Sequence, residues 1–317
     1  MSGAKAALDR SVVVLSVLAL LASACVLLAR TWWFFELFSH FRVQLLAGLL
    51  VLLLTALVLR RRAMAVALGI ATLIAGLPIR DYVVPMNHGE ASQRAEIRII
   101  TANVLVANRD PAGLLDVLQS GDPDVFVIVE FTDRFADALK VLEDTYPHAV
   151  LAPARGAFGI ALYSRWPLRN QHVFELAGTS AIHAELLSGN DRVHVIAAHL
   201  LPPMTSTMAA TRNAQLRGLG DFVGTLSGPI VVAGDLNITP YSPYFVDFTE
   251  RSGLRSALRG FGPSYTWPTF MPILGIPIDH VLVSDDLEIA NYARAAALGS
   301  DHFPVVVDMN HRPMSLD

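Results

Sequence analysis

The apolar run "IVVAGDLNITP" (Ile230–Pro240) ends in a carboxylate and a carboxamide two residues apart, Asp235 and Asn237. On an extended chain that spacing puts both side chains on one face, with Leu236 on the other. Such an ending is either an ordinary exit into a loop capped by Asp, Asn and Pro, or the beginning of a site. The pattern recurs along the chain. "RIITANVL" holds Asn103, "VFVIVEFT" carries Glu130, "VIAAHL" delivers His199, "GIPIDHVLVS" delivers Asp279 and then His280, and "GSDHFPVVVDM" opens on Asp301 and His302. Taken singly, each has a plain explanation: Asn103 capping a turn, Glu130 paired with Arg134, His199 satisfied at a strand end. Taken together, acids, amides and imidazoles at several strand ends suit a single sheet edge, where mutual repulsion calls for a cation. An oxygen-rich donor set with few His and no Cys suits Mg²⁺ or Mn²⁺, with Ca²⁺ a further option, rather than structural zinc.

The elements that must position these groups read as buried strands at Ile97–Val106, Val125–Phe131, Gly159–Trp166, Val193–Leu200, Pro229–Asn237, Ile278–Ser284 and Pro304–Met309. Most are β-branched and bounded by Gly, Pro or Asp. Helical patterns lie between them at Pro111–Ser120, Arg134–Tyr146, Thr207–Leu226 and Ser242–Ser252, with Asp110 set to cap the first. The mixture predicts an α/β domain over residues 97–311. From Ile97 onward there are 23 Asp and Glu against 15 Lys and Arg, a net charge of −8. That balance disfavours nucleic acid as a partner, because non-specific binding to phosphate backbones uses a basic field.

The chain as a whole is 53% hydrophobic, with a mean hydropathy of +0.46, and the excess sits in its first eighty residues. Three nearly charge-free runs, at about 11–29, 43–59 and 63–79, reach roughly 25–29 Å as helices, enough to cross a hydrocarbon core. Residues 1–80 are therefore expected to be a membrane anchor of three transmembrane helices, with 81–96 a polar linker. Lys5 and Arg10 precede the first run and Arg60–Arg62 fill the turn between the second and third. Basic residues in short loops stay in the cytoplasm, so three spans predict a cytoplasmic N-terminus and an extracytoplasmic C-terminal domain. In a bacterium that means a multi-pass protein of the inner membrane with a periplasmic domain. "RTWWFFELFSHFR" (Arg30–Arg42) reads as an aromatic interfacial belt, and Cys25, the single cysteine, lies within the first run and forms no disulfide.

The ordered set "TANVL", "VIVEFT", "ALYSRWPL", "AAHL", "GDLN", "PIDHVLVS" and "GSDHFPV" resembles the endonuclease/exonuclease/phosphatase superfamily of DNase I-like enzymes, from about Ile97 to Met309. The membrane-anchored layout is similar to bacterial members with a few N-terminal spans. The resemblance implies a four-layered α/β/β/α sandwich with its site at one edge. It implies that Glu130 is the main metal ligand, with Asn103 and Asp301 beside or near the ion. Asp235 and Asn237 would flank the scissile phosphate, Asp279 and His302 would form a carboxylate–imidazole couple, and His199 would contact phosphate. Abasic-site endonucleases carry an Asp two residues after the first Asn, where this chain has Leu105, which argues against close kinship with them. His280 reads as structural.

The expected activity is divalent-metal-dependent hydrolysis of a phosphodiester or phosphomonoester, with a phospholipid or lipid-linked phosphate as the favoured substrate. "TWPTFMPILGIP" (Thr266–Pro277) is then a membrane-facing or cleft loop, or else a buried connector. The alternatives are an extracytoplasmic nuclease and a catalytically idle membrane scaffold.

Overall fold

The computed structural model describes residues 2–86, 95–188 and 191–312. The stretch 87–94, half of the expected linker, lies outside the described residues.

Nearly uninterrupted apolar sequence gives the N-terminal helices α1 (Ser2–Leu27), α3 (Arg42–Val58) and α4 (Arg62–Gly76). Between α1 and α3 stands α2 (Trp33–His40), set at 70° to α3 across a break at Phe41. Most of the 30–42 stretch, read as an aromatic belt, is thus helical. A 3₁₀ turn and the short α5 (Arg80–Val83) prolong α4, so the third apolar stretch runs past Ile79 into the expected linker. Two helical stretches, Asp9–Leu27 and Arg62–Val83, are long and apolar enough to cross a membrane, and α2 with α3 makes a third if the bent pair is one span. α3 and α4 pack through small side chains, with Ala56, Ala65, Ala71 and Ala75 buried beside Leu49 and Leu68. Small residues let helix backbones approach closely. The helices have distinct ends. Arg61 pairs with Asp9 at 3.1 Å at one end, while Arg30 donates to Asp247 of the C-terminal part at the other (2.8 Å), where Asp81 also pairs with Arg259.

The rest of the chain forms two six-stranded sheets. The first holds, in spatial order, β11 (Leu287–Arg294), β12 (Val305–His311), β1 (Ile97–Asn103), β2 (Val125–Val129), β4 (Ile160–Ser164) and β3 (His148–Ala152). The second holds β5 (Leu168–Leu176), β6 (Thr179–Ser188), β7 (Asp191–Ala198), β8 (Ile230–Asp235), β10 (Asp279–Val283) and β9 (Arg255–Ser256). Alternation along each strand sorts the side chains into layers. Ile97, Ile99, Val125, Val127 and Val129 face Val193, Val195, Val231, Ala233, Val281 and Val283 across the interior. The opposite faces meet helices. Ile100, Ala102, Phe126 and Ile128 pack against α6 (Ala112–Gly121) and α7 (Asp133–Leu139). Ile196, Ile230 and Val232 pack against α8 (Ser206–Val223) and α9 (Pro243–Ser252). The result is a four-layered α/β/β/α sandwich, and Asp110 Oδ1 accepts the Ala112 N–H at the start of α6 (2.9 Å).

The glycine of "GDLN" is required by this packing. Gly234 adopts φ +141°, and a Cβ there would lie 2.0 Å from the Ala198 carbonyl oxygen on β7. Gly234→Ala is expected to cost about 3 kcal/mol or more, because β8 must move off β7. Equilibrium denaturation of the purified chain checks this; a wild-type midpoint and slope would contradict it.

Candidate active site

The side chains that line the interior turn polar at one end of the sandwich. On β1 the inward parity of Ile97 and Ile99 leads to Asn103; on β8 that of Val231 and Ala233 leads to Asp235; on β10 Asp279 precedes Val281 and Val283. Past the end of β7, the parity of Val195 and Ala197 leads to His199. Glu130 follows β2 with φ +58°, a left-handed conformation that costs a side-chain-bearing residue on the order of 1–2 kcal/mol. That turn brings its Oε1 to accept from Asn103 Nδ2 (3.1 Å) and its Oε2 to accept from the Val106 N–H (2.6 Å). Glu130 therefore faces the site and not Arg134, which donates to the Asn108 carbonyl.

All eight residues singled out from the sequence, Asn103, Glu130, His199, Asp235, Asn237, Asp279, Asp301 and His302, lie in one connected set. Asn103 Nδ2 also donates to Asp235 Oδ2 at 3.1 Å. Asp235 Oδ2 stands 3.6 Å from His199 Nε2 and 3.8 Å from His302 Nε2. His302 Nδ1 bonds Asp279 Oδ2 at 2.8 Å, and its Nε2 is 4.0 Å from Asp301 Oδ1. Asn237, at φ +50°, donates its N–H to Asp235 Oδ1 (2.8 Å). Its Nδ2 donates to the Leu200 carbonyl (2.9 Å) and faces His199 Nε2 at 3.4 Å.

Asp279 and Asp235 are direct partners in the β10–β8 register, so two buried carboxylates sit opposite each other. Burial and the neighbouring Asp279 push the Asp235 carboxyl well above the usual carboxylate range. Burial alone would lower the His302 imidazole, but Asp279, Asp235 and Asp301 outweigh it and hold His302 charged. His199 is pressed down to about 4 by burial and by His302, and its Nδ1 bonds the Ala157 carbonyl (3.1 Å). His280 is likewise held at about 4 by burial; its ring donates from Nε2 to the Ile238 carbonyl (2.7 Å) and packs on Phe245.

The donor set fits a hard divalent cation. Glu130 and Asp235 converge on one amide nitrogen, and Asp279 Oδ1 and Asp301 Oδ1 are buried with no hydrogen-bond donor. Orphaned carboxylate oxygens of this kind are costly unless a cation satisfies them. Ligand atoms of Asp235, Asp279 and His302 also lie within 4.8 Å of one another, but His302 Nδ1 is already committed to Asp279.

Several supporting residues carried little or no signal in the sequence. Thr266 Oγ1 accepts the N–H groups of Ile278 and Asp279 (both 3.1 Å), and Trp267 Nε1 donates to Asp301 Oδ2 (2.9 Å). "TWPTFMPILGIP" is therefore divided: its start braces the site, while Phe270 to Leu274 are exposed, Phe270 at 72% and Ile273 at 78%. Arg212 of α8 is fully buried and donates to the Asn237 carbonyl (3.1 Å). Nothing marked it among the polar residues of its helix.

A family model described as the endonuclease/exonuclease/phosphatase family matches residues 100–302, well over half the chain. No curated protein matches. Among solved structures, an endonuclease/exonuclease/phosphatase from Beutenbergia cavernae is similar with 22% identity and a TM-score of 0.55, over 69% of this chain and 72% of that one. Sphingomyelinase C from Streptomyces griseocarneus is 20% identical with a TM-score of 0.51, over 67% of this chain and 98% of that one. The Neisseria 3′ phosphatase NExo, bound to a product DNA hairpin, is 24% identical with a TM-score of 0.55, over 68% and 99%. At these identities the likeness is one of fold.

His280 hydrogen-bonds the Ile238 carbonyl rather than the site carboxylates, and burial outweighs the pull of the adjacent Asp279 on it, so it offers a test of the electrostatics. Its folded-state value of about 4 lies below its ordinary 6.5, so its contribution to stability is full above about pH 6.5 and is lost as pH falls toward 4. The loss amounts to roughly 3 kcal/mol at most. His280→Gln keeps a donor for Ile238 and binds no proton in that window. The drop in melting temperature between pH 7 and pH 4.5 should be smaller in the variant; an equal drop would contradict the assignment.

Proposed function

The chain belongs to the endonuclease/exonuclease/phosphatase family and is a metal-dependent hydrolase of phosphoester bonds, and we propose that it cleaves a phosphodiester of a phospholipid or lipid-linked substrate at the extracytoplasmic face of a membrane. The observation that carries the chemistry is the buried His302 held between Asp279 and Asp235, beside Asn103 and Glu130. We assign Glu130, Asn103 and Asp301 to hold Mg²⁺ or Mn²⁺, which when bound supplies Lewis-acid stabilisation of phosphoryl charge. Asp235, raised toward neutrality, accepts the proton of the attacking water. Asp279 holds the charge and tilt of the His302 imidazolium through Nδ1, which leaves Nε2–H to stabilise negative charge on the phosphoryl group. Asn237 Nδ2 faces the phosphate, while His199, neutral with its proton on Nδ1 toward the Ala157 carbonyl, keeps its bare Nε2 3.4 Å from that amide and orients it rather than touching phosphate.

The membrane side of the reading is supported by the two ends of the helices. The basic turn Arg60–Arg62 is tied to Asp9 at one end, and the catalytic part is tied to Arg30 and Asp81 at the other. With three spans, the basic end in the cytoplasm sets the catalytic part outside. A lipid substrate is supported by an apolar cavity of about 510 Å³ between Val43 and Ala47 of α3, Tyr265, and Ile273 and Leu274 of the exposed loop. Gln44 Nε2 clips that loop through the Gly275 carbonyl (2.8 Å).

Full-length protein in detergent should hydrolyse phospholipid vesicles, lose activity in EDTA and regain it with Mg²⁺. His302→Ala and Asp235→Asn are expected to lower kcat by about 10²-fold or more, with a cooperative melting transition showing that each variant is still folded at the assay temperature. Full activity in either variant would overturn the catalytic assignment. Cleavage of plasmid DNA without vesicle hydrolysis would replace the lipid substrate with nucleic acid. A C-terminal reporter active only in the cytoplasm would reverse the orientation.

A further inference from the structure

A single acid stands in the aromatic stretch "WWFFELFSHF": Glu36 of α2, whose side chain is fully buried. A carboxylate in that setting needs a partner of opposite charge and further hydrogen bonds. It finds them in the C-terminal part of the chain. Arg212 Nη2 donates to Glu36 Oε1 (2.7 Å) and Oε2 (2.6 Å), and Ser242 Oγ donates to Oε1 (2.7 Å). The guanidinium is then used up on its other sides: Nε donates to Asn213 Oδ1 (2.8 Å) and Nη1 to the Asn237 carbonyl (3.1 Å).

The last of these bonds falls on a site residue. Asn237 is held in a left-handed conformation that Asn tolerates but does not prefer, and the two residues after it are clamped as well. His280 holds the Ile238 carbonyl, and His40 Nδ1, also from α2, sits 3.1 Å from Thr239 Oγ1. The loop that aims Asn237 is thus fixed from below by three buried groups. One of them belongs to α2, and another, Arg212, is oriented by α2.

We infer that Arg212 is a positioning residue for the phosphoester reaction, oriented by Glu36, so that α2 of the membrane-anchoring part is a structural component of the active site. The inference rests on the reading that Asn237 contacts the phosphate. Stability alone does not account for the pair, since a buried ion pair is commonly no more stabilising than apolar residues of the same volume. What an apolar pair could not supply is an N–H fixed on the Asn237 carbonyl. A planar guanidinium does so with Nη1 while its Nη2 reaches both Glu36 oxygens, and a lysine ammonium lacks the second nitrogen.

The test is a double-mutant cycle on full-length protein in detergent, with bis(p-nitrophenyl) phosphate as the probe and Mg²⁺ saturating. Arg212→Lys keeps a charge opposite Glu36 and loses the second arm. It should lower kcat about tenfold, with KM within about twofold and an unchanged pH profile. In the Asn237→Ala background, Arg212→Lys should have no further effect on kcat, because the group it positions is gone. The paired replacement Glu36→Leu with Arg212→Met leaves no unpaired charge. It should melt cooperatively near the wild-type temperature, yet show the same kcat loss.

Wild-type kcat in Arg212→Lys, or in the paired replacement, would overturn the inference. So would losses from Arg212→Lys and Asn237→Ala that simply multiply. If both Arg212 variants fail to fold, the pair is a scaffold only and the inference is again overturned. An Asn237→Ala enzyme with wild-type kcat would instead remove Asn237 from the phosphate, and the inference with it.

Discussion

Two carboxylates directly opposite each other in a buried register set the terms for the rest of this molecule. Asp279 and Asp235 are cross-strand partners on β10 and β8, where like charges repel and water is scarce. Relief comes from His302, which is delivered from just ahead of β12, a strand of the other sheet. Asn103, from β1 of that other sheet, donates to Asp235 Oδ2, while the Asn237 N–H serves the other oxygen. Neither sheet can satisfy the cluster by itself. The same contacts that close the end of the sandwich therefore assemble the candidate catalytic groups, and the polarity of the site becomes a reason for the two sheets to meet at that end in one register.

The core and the site are one device read at two depths. The alternation that sends Val231 and Ala233 inward sends Asp235 inward as well, and a slip of one residue would exchange Asp235 for Leu236. The two positions that depart from simple alternation do so through backbone conformation. Gly234 lets β8 approach β7 where any side chain would strike Ala198, and the left-handed Glu130 turns its carboxylate toward Asn103.

This logic explains which parts of the fold can be read in the sequence. The strands that announce themselves as apolar runs, β1, β2, β4, β7, β8, β10 and β12, are interior to their sheets. The four edges, β3, β5, β9 and β11, escape notice: β9 has only two residues, and β5 reads "LRNQHVFEL" with most of its side chains in water. β6 is interior, but its "TSAIHAELLS" is too rich in small and polar residues to read as a buried strand. The site residues were legible because each interrupts or ends an apolar stripe. Their supports were not, because support is a relation between distant segments. Trp267 marks an aromatic loop, but only folding brings it to Asp301. Arg212 is one of several polar residues on α8 until Glu36, 176 positions earlier, arrives beneath it. The bend between α2 and α3 is hidden for the related reason that "WWFFELFSHF" suits an interfacial belt as well as a helix.

That last ambiguity has a physical resolution. α2 turns Glu36, Ser39 and His40 into the protein and leaves Trp32, just before it, and Phe34 largely exposed, the reverse of a helix that hides its apolar face in a soluble core. On the proposed membrane placement, those aromatics lie at the headgroup level, where amphipathic rings are favoured. The buried polar face then fixes the height and tilt of the sandwich above the bilayer. A flexible tether would let the site sample all orientations, with only a fraction facing lipid. A helix that is locked to the lipid surface on one side and to the Asn237 loop on the other removes that freedom before substrate arrives. The entropy of orientation is then met during folding instead of at each encounter, which is the general advantage of preorganisation.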